Sequence, residues 1–174
     1  MIEIEESGVI FGPFDDDSLY KIEDSKHLPS HVKPVEFAWV PAKGINLVLV
    51  EAKSSFSNPL NSGDFDKNIQ EIYTKIVDSL TVLTSSSLGR HPNIQAELPT
   101  KLRELNWERA TINMRLVIPN FDSSWLPPIS DALRKRLKHF LASLGIPEVN
   151  FQVLNKQIAS SQGLLKETLE DDNS

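Results

Sequence analysis

Cysteine is absent from the 174 residues. That excludes a disulfide-stapled scaffold, a cysteine zinc finger and a thiolate nucleophile. Long apolar runs are missing as well: no stretch of about 18 apolar residues exists, so nothing reads as a membrane span. The first six residues include Glu3, Glu5 and Glu6, where a signal peptide would be basic, and the expected location is the cytoplasm. Glycine, at 7 residues, and proline, at 11, are too few for a low-complexity or collagen-like chain.

What is present is the make-up of an ordinary globular domain, 40% hydrophobic and 24% charged. A chain of this length buries about 70% of its unfolded surface and needs no metal or disulfide to hold a core. The expectation is a single domain over residues 1–166 with a polar tail over 167–174. The net charge of -6 argues against binding nucleic acid by bulk electrostatics alone. Residues 101–139 nevertheless carry eight Lys and Arg against four acids, a local +4, leaving -10 elsewhere. An acidic region beside a basic one is compatible with a metal site facing an anionic substrate, although solvated charge is the commoner explanation.

Residues 1–14 alternate loosely around Gly8 and read as an edge strand or hairpin. Residues 35–40 are β-rich, 41–44 form a turn, and 45–50 are a nearly continuous apolar run, as in a strand covered on both faces. Apolar residues Phe65, Ile69, Ile72, Tyr73, Ile76, Leu80 and Leu83 recur at helical spacing and predict a helix over 64–86. Ile112, Met114, Leu116 and Ile118 alternate as a strand that stops at Pro119. A second amphipathic helix follows Pro127-Pro128 and ends at Gly145, and Val149, Phe151 and Val153 make a last strand. The fold class is α/β: a mixed central sheet of about five strands flanked by two long helices.

Glu51-Ala52-Lys53 ends the most apolar strand, where charge is costly unless it is used. Residues two apart share a strand face, so the Glu51 carboxylate and the Lys53 ammonium point the same way. With the turn at 41–44 pairing Val40 with Ile45, Glu36 faces Leu49 and lies diagonal to Glu51 on one face. Two such carboxylates can share one oxygen-ligated cation, beside a lysine that orients a water. A slip of one residue would reverse Glu36.

Glu36, the Glu51-Ala52-Lys53 triplet after a further fourteen residues, and the helix, strand, helix and strand that follow together resemble the PD-(D/E)XK, or restriction-endonuclease-like, superfamily. The resemblance covers roughly residues 20–118. It implies a Mg²⁺- or Mn²⁺-dependent nuclease, with DNA ahead of RNA as the substrate. It also implies Glu36, Glu51 and the Ala52 carbonyl as metal ligands and Lys53 as the residue positioning the attacking water. Glu23 matches an additional ligand found in some branches, and Gln70 with Tyr73 resembles a helical Gln and Tyr found in others. The chain departs from the pattern in having Glu36 where Asp is usual and Pro34 one position removed from it.

The triplet carries no weight by itself, since about 1.7 acid-x-Lys triplets are expected by chance in this composition and two occur. Its strand-end context carries the weight. The plain alternative for Glu51 and Lys53 is an edge ion pair of about 0–1 kcal/mol, and for Glu36 and Glu23 it is solvent-facing charge. Arg134, Lys135, Arg136 and Lys138 lie opposite an apolar helix face and read either as solvated charge or as phosphate contacts. The four histidines have no ligand spacing. Nucleic acid is the expected partner, no membrane is, and a protein partner or a second copy stays open. The rival function is a non-catalytic domain of this fold serving as an interaction subunit of a larger complex.

Overall fold

The structure is a computed structural model and describes residues 1–41 and 45–166. The proposed polar tail at 167–174 and most of the turn at 41–44 lie outside the described residues.

The centre of the molecule is β5 (Asn46–Ala52), buried from Leu47 onward. That explains its near-absence of alternation: both faces are covered, so both need apolar side chains. On one side it pairs antiparallel with β4 (Phe37–Trp39), which pairs antiparallel with β3 (Leu19–Lys21). On the other side it pairs parallel with β6 (Thr111–Val117), which pairs parallel with β7 (Phe151–Leu154). The result is a five-stranded mixed sheet in the order β3-β4-β5-β6-β7.

Each parallel step needs a crossover. α1 (Ser62–Ser87) joins β5 to β6, and α4 (Leu126–Ser143) joins β6 to β7. Two crossovers of one hand stepping in one direction put both helices on one face, and the core there combines Ile69, Ile72, Ile76 and Leu80 of α1 with Ile129, Leu133 and Leu137 of α4. The two helices thus share a face instead of enclosing the sheet between them. The short helices α2 (Pro92–Glu97) and α3 (Thr100–Arg103) follow α1 and bury Ile94 and Leu102 in the same core. Gly145, at φ +68°, supplies the left-handed residue just beyond α4.

The opposite face is covered by a separate hairpin, β1 (Ile2–Glu6) and β2 (Val9–Phe14). Phe11 and Phe14 each sit 5.4 Å, ring to ring, from Phe37, and Phe14 lies 5.0 Å from Trp39. Ala159 of α5 (Lys156–Ser161) and Leu164 complete this second core. Gly12 is required by close approach as well as by its φ of +104°, since a Cβ there would meet the Ile2 carbonyl at 2.9 Å.

The segment entering β4 is clamped by α1. Lys33 N–H donates to Asp78 Oδ2 and Val35 N–H donates to the buried Ser79 Oγ, both at 2.8 Å. Ser79→Ala should leave the Val35 N–H buried without an acceptor, lowering stability by about 1–3 kcal/mol. Urea denaturation measures this, and a loss below about 0.5 kcal/mol would mean that the amide finds another partner.

Candidate active site

Phe37 pairs with Val50 and Ala38 with Leu49, a register two residues away from the expected one. Because the shift is even, every side chain keeps its face. The pairing continued by one residue sets Glu36 directly opposite Glu51, which corrects the diagonal placement. Directly opposed residues bring Cβ atoms to about 4.5–5.5 Å, closer than a diagonal pair. Leu49 and Ala38, next along the same face, belong to the core under the helices, so both carboxylates point toward α1.

Glu51 is only 1% exposed and Glu36 8%. Burial pushes both carboxyl groups up to about 7. A hydrogen bond with Glu23 contributes to that rise at Glu36, and the Lys75 charge opposes it in part at both. Lys75, on α1, reaches between the two carboxylates. Its Nζ donates to Glu51 Oε2 at 3.0 Å and lies 2.8 Å from Glu51 Oε1 and 3.5 Å from Glu36 Oε1. Glu51 Oε1 is buried and meets that ammonium as an ion pair, outside hydrogen-bonding alignment. Lys53 Nζ sits 3.6 Å from the same oxygen and donates to Glu71 of α1.

These contacts form a continuous chain: Glu23, Glu36, Lys75, Glu51, Lys53, Glu71. Four carboxylates against two ammonium groups leave a formal -2 when all are ionised. Two facing carboxylates, in a cluster with more acids than ammonium groups, fit one divalent cation of the oxygen-preferring kind, with water completing its shell. Among the described residues, no group of three or more His, Asp or Glu side chains is arranged as a ready-made metal cage.

The other expected residues disperse. Glu23, just past β3, is exposed but touches Glu36. Gln70 does not join the carboxylates: it is exposed, donates to Thr74 Oγ1 and accepts from Arg136 of α4. One position along a helix turns a side chain by about 100°, which is why Glu71 reaches Lys53 while Gln70 faces α4. Arg136 also lies over the Tyr73 ring, 5.0 Å from its centre. Arg134 is committed to the fold, donating through Nε and Nη2 to the Phe151 carbonyl at the start of β7. Lys135 and Lys138 are exposed. Of the histidines, His27 is bound to Glu97, which also accepts from Ser25 and from Tyr20 Oη, tying the segment after β3 to α2.

Lys75 and Glu71 were not singled out in the sequence. Their i,i+4 spacing resembles a surface helix pair, yet each takes a partner from β5 instead. The signal lay in position: both flank the apolar stripe of the helix that follows the Glu51-Ala52-Lys53 strand.

Compared with protein-family models, with curated proteins and with solved structures, the chain matches none. Among the described residues, no helix is long and apolar enough to cross a membrane.

The raised carboxyl groups set a pH dependence. Below about pH 4.5 Glu51 is protonated in folded and unfolded chains alike; between about 4.5 and 7 only the unfolded chain ionises, so stability falls across that window. Glu51→Gln should flatten this decline and be relatively more stable near pH 8 than near pH 4. Thermal unfolding from pH 4 to 8 measures it, and an unchanged slope would mean that Glu51 does not titrate in the folded protein.

Proposed function

We propose that this protein is a metal-dependent nuclease of the restriction-endonuclease-like class, hydrolysing phosphodiester bonds in nucleic acid, with DNA as the first substrate to test. The observation that carries this reading is the pair Glu36 and Glu51, set opposite each other by the strand register and converging on one cationic group, with Glu51 Oε1 buried. The position in the fold agrees with it. Glu51, Ala52 and Lys53 lie at the carboxyl end of a strand in the parallel part of the sheet, where α/β proteins bind ligands. The residual -2 calls for a cation before a phosphate can approach.

In this reading Glu36, Glu51 and the Ala52 carbonyl would hold Mg²⁺ or Mn²⁺, which would supply charge stabilisation for the phosphoryl group. Lys53, held between Glu51 and Glu71, donates to the attacking water and orients it in line with the leaving oxygen. Glu23 adjoins Glu36 and helps hold its carboxylate. The exposed Lys135 and Lys138, with Arg136, offer phosphate contacts along α4.

One observation favours a second reading. The Lys75 ammonium already contacts both carboxylates, as it would in a non-catalytic domain that keeps this fold for protein interaction. Purified protein incubated with Mg²⁺ or Mn²⁺ and single- and double-stranded DNA and RNA separates the two. Cleavage should fall by about 10²–10⁴-fold in Lys53→Ala and be abolished in Glu51→Ala. Absence of cleavage by wild type on every substrate supports the interaction domain, and cleavage undiminished in both variants places the activity elsewhere.

A further inference from the structure

Lys75 is the second contact of both candidate ligands, and its setting is unlike that of a surface lysine. Its side chain is 17% exposed, its Nζ lies within 3.5 Å of three carboxylate oxygens from two strands, and it projects from a different element, α1. Coordination at 2.0–2.6 Å by Glu36 and Glu51 requires the space the ammonium now fills. The ammonium and a metal ion would compete there for the same carboxylate oxygens and repel each other at close range.

We propose that Lys75 is a built-in counter-ion, its ammonium filling the position between Glu36 and Glu51 that a divalent cation takes, so that metal enters only by displacing it. This rests on the metal-site reading above and adds to it a competition within the chain. Without Lys75 the buried carboxylates would face each other uncompensated in the metal-free protein. With Lys75, apo protein is neutralised in place, and metal affinity is lowered by the strength of the ion pair that must be given up. Glu51 Oε1, 2.8 Å from the Lys75 ammonium but outside hydrogen-bonding alignment with it, is the oxygen that the incoming ion would take over.

The test is Mn²⁺ binding by calorimetry at fixed pH, comparing wild type with Lys75→Met, Lys75→Arg and Glu51→Gln. Removing the competing charge should tighten Mn²⁺ binding by about tenfold, the size of one partly screened unit-charge contact. Lys75→Arg should bind no tighter than wild type, and Glu51→Gln should bind little or none. A second measurement needs no variant: acetylation of Lys75 in wild type, followed by mass spectrometry, should speed up on saturation with Mn²⁺ as the ammonium is expelled. Equal or weaker binding by a folded Lys75→Met overturns the proposal, as does Lys75 acetylation that stays constant or slows when Mn²⁺ saturates wild type. No Mn²⁺ binding by wild type or Lys75→Met removes both this inference and the metal site. Binding with displacement, but no cleavage of any nucleic acid, leaves Lys75 as counter-ion and removes only the nuclease.

Discussion

Everything at the candidate site follows from one electrostatic constraint: a carboxylate that is 1% exposed at the end of the central strand must be neutralised from close by. Glu51 meets that constraint with Lys75 from the overlying helix and Lys53 from its own strand. Neither lysine is free to answer it alone, because Lys53 is shared with Glu71 and Lys75 with Glu36. The helix can approach the strand end this closely because the parallel β5–α1–β6 connection lays α1 back over the strand it has just left.

Much of this was legible in the chain. The continuous apolar run into Glu51 marked the central strand, and the three-and-four spacing from Phe65 to Leu83 marked α1 nearly to its ends. The shared face of Glu36 and Glu51 was legible from parity alone. The finer register was not, because a four-residue turn was assumed, and a strand pattern of period two cannot distinguish a shift of two from none.

What escaped the sequence escaped for physical reasons. Lys75 is a polar residue on an amphipathic helix, and nothing local separates one that snorkels into a pocket from one that reaches water. α2 and α3 are too short to show a period, and their helicity depends on Ile94 and Leu102 finding the core. Gln70 matched a motif position but not a direction, since motif spacing leaves open which way a helix is rotated over its sheet. Arg134 carried the charge of a phosphate contact and instead serves a strand-end carbonyl.

The hairpin on the far side of the sheet bears on the carboxylates without touching their core. Phe37, Val50 and Ala52 alternate with Glu36, Glu51 and Lys53 along the same two strands and insert into the aromatic cluster of Phe11 and Phe14. Each anchored side chain on that face indexes the acid beside it, like the pins of a tumbler lock. A fault in the hairpin's packing would therefore surface as a fault in the chemistry, on the side of the sheet where no residue had changed. The phenotype of a hairpin variant would read as loss of the site, and its cause would lie one sheet thickness away.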